Sequence, residues 1–382
     1  MDPSKTEVEA PAPKSGPLQD LAPFGDRITT AGASQARLVW MRFRRHRLAL
    51  ISLFVLAFIY FVAIFGGFLA PMTQDQYQAK YSYAPPQMLH ISGSGLYVHG
   101  YHSKVNPDTL QRDFSTDSSS RIPVGFFVHG QKYKILGLFT SDIHFIGPKD
   151  KGAPFYLLGS DRQGRDMLSR TIYGARISMS IGLVGVALAF ILGIVLGGIS
   201  GYAGGRTDTV IQRFIEFVMS MPTLPLWLGL SAAVPPTWSP LKTYFAITII
   251  LSLIGWTGLA RVMRSRFMQI RREDFVLAAE FDGASRSRII GRHMLPSFAS
   301  HIIASLTLSI PSMILAETSL SFLGLGLRPP AVSWGVLLQD AQNVRVISSA
   351  PWLLFPGLAV VVAVMALNFV GDGLRDAADP YG

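Results

Sequence analysis

Long apolar runs without charge alternate with polar, arginine-bearing intervals along this chain. The first run, Leu48–Ala70, holds no charged residue and follows Arg42, Arg44, Arg45 and Arg47. A membrane-spanning helix needs about 20 mostly apolar residues, so the run predicts a first span, closed by Pro71. Five comparable runs follow. They are Ile177–Ser200, then Thr209–Val234 with Pro222 and Pro225 inside it, then Tyr244–Ala260, Phe298–Leu323 with Pro311 inside it, and Trp352–Val370. The pattern predicts an all-α integral membrane protein of six spans. Residues 34–47 read as an amphipathic helix on the membrane surface, so 37–71 combines that helix with the first span. Residues 1–36 are mixed in charge, rich in Pro, Ala and Ser, and lack the apolar core of a signal peptide. They read as a disordered cytoplasmic tail.

The intervals differ in kind. Residues 72–157 are polar and aromatic, and stretches such as RIPVGFFVHGQKYKILGLF (121–139) cluster β-formers around glycine. They predict a small β-rich extracytoplasmic lobe between the first two helices. The interval 261–297 carries Arg261, Arg264, Arg266, Arg271, Arg272, Arg286, Arg288 and Arg292, whereas 235–243 and 324–351 together hold only Lys242, Arg328 and Arg345. Short cytoplasmic loops are enriched in Lys and Arg, and long exported loops escape that rule. Both termini and the 261–297 loop are therefore expected in the cytoplasm, with 158–380 forming a core domain around it.

Through the second run and just beyond it Gly185, Ala189, Gly193, Gly197, Gly201 and Gly205 recur every four residues. Such a ridge, almost without side chains, lets helix backbones approach closely in lipid. It is an architectural signal and carries no information about substrate.

Composition narrows the chemistry. Hydrophobic residues make up 49% and charged ones 15%, against about 25% charged in soluble domains. The net charge of +10 is then better read as cytoplasmic loop charge than as nucleic-acid binding. There are no cysteines, hence no disulfide, thiolate metal site or thiol nucleophile. No G-x-x-x-x-G-K-[ST], H-E-x-x-H or G-x-S-x-G occurs, and the eight histidines are scattered. Neither a metal site nor a cofactor bound by this chain is expected. Ionisable groups inside the runs are few: Arg213 and Glu216, His301 and Glu317. Only Glu317 lies far from a cytoplasmic end. It is the candidate pathway residue, beside the plainer reading that it pairs with a neighbouring helix, and one such carboxylate is thin support for an ion-coupled carrier. The bundle thus lacks a visible engine, and LAAEFDGASRSRIIGRHMLP (277–296) is where a partner would supply one. Met263–Ala279 predicts a helix, Gly283 a turn with positive φ, Ser285–Met294 a second short helix, and Pro296 the first turn of the fifth span.

In that stretch the sequence resembles the inner-membrane permease subunits of bacterial ABC importers, whose cytoplasmic loop reads E-A-A, three residues, G, and a closing L-P. Ala278, Ala279, Gly283, Leu295 and Pro296 match. Leu277 stands where the family has Glu, and Glu280, three residues later, is a carboxylate that could partly replace it. LGSDRQGRDMLSR (158–170), GARISMSIG (174–182), GYAGGRTDTVIQRFIEFVMSMPTL (201–224), ETSLSFLGLGLRPPAVSWG (317–335) and NFVGDGLRDAADP (368–380) resemble the C-type partner of the oligopeptide and dipeptide permeases. The resemblance implies a six-helix type I ABC importer permease bundle in the bacterial inner membrane. It implies a second permease subunit, two ATPase subunits that bind ATP and Mg, and an extracytoplasmic solute-binding protein. It also implies a peptide substrate, with oligosaccharide, opine, glutathione or nickel as alternatives among close relatives. Two other classes stand beside it: an ion-coupled secondary carrier, and a membrane-anchored scaffold whose working part is the lobe.

Overall fold

The computed structural model of the protein describes residues 35–378 apart from positions 94, 106, 108–111, 136–137 and 151. The tail expected over 1–36 lies outside these residues, except that Gln35 and Ala36 open the first helix.

Ten helices carry the argument: α1 (Gln35–Phe43), α2 (Arg47–Ile64), α3 (Met167–Ala203), α4 (Gly205–Ser220), α5 (Thr223–Ala232), α6 (Pro240–Ile270), α7 (Asp274–Phe281), α8 (Ala299–Phe322), α9 (Trp334–Leu338) and α10 (Phe355–Ala378). Among the described residues five helices are long and apolar enough to cross a membrane, and α4 with α5 passes the same test as one pair, bent by 84° at the break. Local chemistry explains where these elements depart from the apolar runs. The first span stops at Ile64, and Gly66–Leu69 forms a separate helical turn. The second helix starts at Met167 rather than Ile177, because Asp166 caps it by accepting the Ser169 N–H. That polar first turn is helical without being apolar, so hydropathy alone misses it. Pro222 forces the residue before it out of the helical region: Met221 sits at φ −82°, ψ 135°, and one expected span becomes two helices.

Direction along the bundle follows from the helix contacts. A Cβ added at Gly193, Gly197 or Gly201 of α3 would meet Leu259, Met263 or Phe267 of α6 in turn, so α3 and α6 run parallel. The chain between them must then return to the starting side, which makes α4 with α5 one crossing. At the far end Ala49 of α2 touches Gly373 of α10, and Phe43 of α1 is buried in the same cluster. The start of α2, the ends of α3, α6 and α10, and the 271–297 module therefore share one end of the bundle. The main core joins α2, α3, α6, α8 and α10 through residues such as Leu56, Met179, Leu251, Ile314 and Leu367.

At the other end sits an antiparallel meander, β1 (Leu89–Ser92), β2 (Gly95–Val105), β3 (Arg112–Ile135) and β4 (Phe139–Pro148), in the order β1-β2-β3-β4. Its own core is small: Met72, Ala84, Val98, Ile122, Val124, Phe155 and Tyr156. A core of that size stabilises little alone, and the lobe leans on the bundle. His144 places Nδ1 2.6 Å from the Ala70 carbonyl, and the Tyr133 ring lies directly against Gly67.

Candidate coupling surface and its supports

The module at the arginine-rich end begins where α6 stops. Arg271 donates to the Tyr202 carbonyl at 2.7 Å, which ties the turn after α6 to the end of α3. Helix α7 then ends in a paired-bond motif. The Ala284 N–H reaches Ala279 O and the Gly283 N–H reaches Glu280 O, both at 3.0 Å, with Gly283 at φ 75°. This is the geometry of a glycine-closed helix end, in which an apolar contact between the residue after the glycine and the last turn accompanies the bonds; here Ala284 packs against the cluster that includes buried Ala279. Beyond the turn a π-helical stretch, Ile289–Met294, leads to the short helical turn Leu295–Ser297. Pro296 sits in that turn and Phe298 breaks it from α8, so Pro296 does not open α8 itself.

The module has two faces. Val276, Ala279, Ile289 and Met294 are buried with Met263 and Phe267 of α6 and Phe190 of α3. The other face presents Ala278, Phe275, Leu277 and Phe281 to the exterior, Phe281 at 91% exposure. Leu295 is half-buried beside the cluster. Glu280 is exposed, and one of its carboxylate oxygens accepts the Tyr202 hydroxyl at 2.8 Å. That contact is within the chain and helps fix α7 on α3.

The glycine ridge supports this module from behind. A Cβ at Gly197 would overlap the Ala260 carbonyl oxygen, and one at Gly201 would lie 2.5 Å from Arg264 O. Gly193 faces Leu259 and Ala260, whereas Gly185 faces Met313 of α8 and accepts the Ser252 hydroxyl at 2.9 Å. Gly205 is off the ridge: it follows Gly204 with φ 56° and meets nothing within 4 Å. A polar clamp completes the joint. Arg264 of α6 holds Asp208 of α4 with two bonds of 2.5 and 2.6 Å, and Ser200 of α3 donates to the same carboxylate. Bidentate pairs of this kind fix direction as well as distance. Nothing in the local sequence of Arg264 indicates Asp208 as its partner.

Above the module, α3, α5, α6 and α8 border a mostly apolar, partly open cavity of ≈ 400 Å³ lined by Trp227, Gly258, Ser305, Ser309, Ser312 and Met313, among others. Glu317 is not in its lining. It is 0% exposed and closed by hydroxyls: Ser333 donates at 2.7 Å, Ser321 at 2.8 Å and Ser178 at 3.4 Å. Ser178 in turn accepts the Trp334 N–H, so the carboxylate ties α3, α8 and α9 into one knot. Arg213 and Glu216 pair with each other at the surface, and the side chain of His301 lies outside the described residues. Glu317→Ala leaves buried hydroxyls without an acceptor and is expected to cost about 1–3 kcal/mol. The check is a lower melting temperature of the purified protein, with Glu317→Gln, which keeps an acceptor oxygen, losing less.

The LGSDRQGRDMLSR stretch forms a latch at the lobe end. Asp161, 2% exposed, accepts Arg170 Nη1 at 2.5 Å and Arg165 Nε at 2.7 Å. Ser169 donates its hydroxyl to Asp166 and accepts the Met72 N–H, and Trp352 donates to the Ser160 carbonyl. Burial lifts the Asp166 carboxyl from its ordinary 3.8 to about 6, outweighing the bonds from Ser169. The unfolded chain releases this proton near its ordinary value and the folded chain only near 6. Between those values the folded state binds more protons, so its stability falls as pH rises through the window and levels off above it. Asp166→Asn is expected to shrink the difference between melting temperatures measured at about pH 4 and about pH 7.

Two family models match the chain: binding-protein-dependent transport system inner membrane component over residues 193–381, and N-terminal TM domain of oligopeptide transport permease C over residues 34–86. The chain is 30% identical to the dipeptide transport system permease protein DppC of Bacillus subtilis (strain 168), across 93% of this chain and 88% of that protein. It is 31% identical to DppC of Lactococcus lactis subsp. cremoris (strain MG1363) across 93% of each. It is 37% identical to the oligopeptide transport system permease protein OppC of Bacillus subtilis across 58% of this chain and 70% of that protein. Among solved structures, a chain of the inward-facing MetNI methionine ABC transporter is 15% identical with a TM-score of 0.45, over 56% of this chain and 98% of that one. The chain belongs to the family of inner membrane components of binding-protein-dependent transport systems: it is a multi-pass permease subunit of an ABC transporter, working with other transporter subunits.

Proposed function

We propose that the protein forms one half of a peptide translocation path, with a second permease subunit as the other half, two ATPase subunits below it and a solute-binding protein above it. The observation that carries the coupling part is the exposed apolar face of α7. Phe281 is almost fully exposed on a base that Val276, Ala279 and Ile289 hold rigidly to α3 and α6. An aromatic side chain presented this way suits a pocket in a partner. ATP binding and Mg belong to those ATPase subunits, and closure of the ATPases displaces the module as a rigid body, which tilts α3 and α6 and opens the bundle to alternate sides. The concentration of arginines at the module's end supports a cytoplasmic placement of that end and of both termini, in the bacterial inner membrane.

Peptide as the substrate is supported by relatives named dipeptide and oligopeptide permeases and by a cavity whose polar side chains, three serines and Trp227, carry no charge. The sealed position of Glu317 gives an ion relay no support. The test is uptake into proteoliposomes holding the complete complex and its binding protein. Peptide accumulation that requires ATP supports the proposal. Uptake by this chain alone, driven by an ion gradient, overturns it.

A further inference from the structure

The β3–β4 hairpin carries a set of exposed apolar side chains that the transport reading does not use. Phe127, Leu138 and Phe139 are 63%, 77% and 71% exposed, and Phe126 and Phe145 are exposed beside them. The rings are not scattered. Phe145 packs on Phe126 and Phe127 at 5.5 and 5.9 Å between centroids. Both Phe127 and Phe145 contact Phe68, at 6.0 and 5.8 Å. Phe127 reaches this cluster at φ 54°, a region that aromatic residues rarely occupy.

Phe68 belongs to the turn that follows the first span, and that fixes the level of the cluster. Helix α2 has 18 residues, hence a length of about 27 Å at about 1.5 Å per residue, against a hydrocarbon core of about 30 Å. The Gly66–Leu69 turn therefore stands at the boundary between acyl chains and headgroups. The hairpin then follows the chain back toward the membrane. Gly147 lies beside Pro71, His144 beside Ala70, and Tyr133 beside Gly67. Tyr133 pairs with Ser141, and Ile135 with Phe139, two pairs further along the hairpin. The Ile135–Phe139 pair thus lies past Gly67 on the side of Ile64. Exposed Phe58, Phe61 and Phe65, three and four residues apart, put further apolar side chains on one side of the first span and its exit. Lys132 and Lys134 stand exposed just before the tip, placed to meet lipid phosphates.

We propose that the β3–β4 hairpin is a lipid anchor, seated in the headgroup–acyl boundary of the leaflet on the lobe's side. Aromatic rings favour that zone, and cations flanking an apolar segment strengthen its hold on anionic lipid. The anchor would fix the lobe at a set height and angle over the bundle mouth.

The absence of native cysteines makes the test clean. Leu138→Cys and, independently, Phe139→Cys carry a nitroxide in the complete complex, held in phospholipid nanodiscs; Ser118→Cys, exposed on the other half of β3, is the control. The unsubstituted complex subtracts labelling of other subunits. The expected result is a collision ratio of oxygen to a water-soluble nickel chelate several-fold higher at 138 and 139 than at 118. A nickel-dominated signal at both tip positions overturns the proposal in favour of a solvated hairpin. Exclusion of both reagents overturns it in favour of a protein partner. Two labelled positions keep one perturbing label from deciding the outcome.

Discussion

Gly197→Val is expected to abolish accumulation of the folded protein, the largest effect of any single substitution considered. The added Cβ overlaps the Ala260 carbonyl oxygen and comes within 2.9 Å of Met263 Cβ. The obstacle is backbone, so no rotamer change relieves it. Overpacking of a dense interior costs about 1–3 kcal/mol when side chains can adjust, and here α3 and α6 must separate along the whole ridge. In lipid, close packing is itself a main source of helix association. Separation also pulls Arg264 away from Asp208. Gly258→Val, on the same helix α6 but with nothing within 4 Å of its Cβ, is the control and is expected to leave the yield near normal. The check is the amount of monodisperse protein extracted from membranes for each variant.

Gly283→Val is expected to leave the bundle folded and to remove ATP-driven transport. Gly283 has φ 75° and open space around it, so a substitution acts through the backbone alone. An L-residue in that conformation costs about 1–2 kcal/mol, and about 1.4 kcal/mol is a factor of ten in a conformational equilibrium. The turn then redirects α7 and moves Phe281 out of position. Asn tolerates the left-handed region better, so Gly283→Asn is expected to retain most of the transport. Equal loss in both variants would point to the side chain rather than the turn. Substrate-stimulated ATP hydrolysis and uptake, measured on proteoliposomes with the full complex, separate these outcomes.

Both substitutions rest on features that the bare sequence displays. Glycines four apart need no partner to be recognised, because the period of the helix puts them on one face. A glycine closing a short helix is equally local. The six crossings were legible as apolar runs, and the β-rich lobe as clustered β-formers. The misses are non-local or polar. Ser178 and Ser333, which close around Glu317, lie 139 and 16 residues from it, and hydroxyls carry no signature of their partners. Asp208 and Arg264 are 56 residues apart. The start of α3 was hidden because its first turns are polar, and only the Asp166 cap marks it. Pro222 and Pro225 were visible as interruptions, yet the 84° bend depends on how α4 packs against α3 and α6. The exposure of Phe281 follows from which face of α7 is buried, which a helix of eight residues does not reveal by period.

The most direct test of the coupling account is the solvent access of residue 281. In the otherwise cysteine-free chain, Phe281→Cys is treated with a membrane-impermeant maleimide on opened membranes, with and without the ATPase subunits bound. The account predicts rapid labelling of the stripped chain and strong protection once the ATPases are present. Equal labelling in the two states would contradict it.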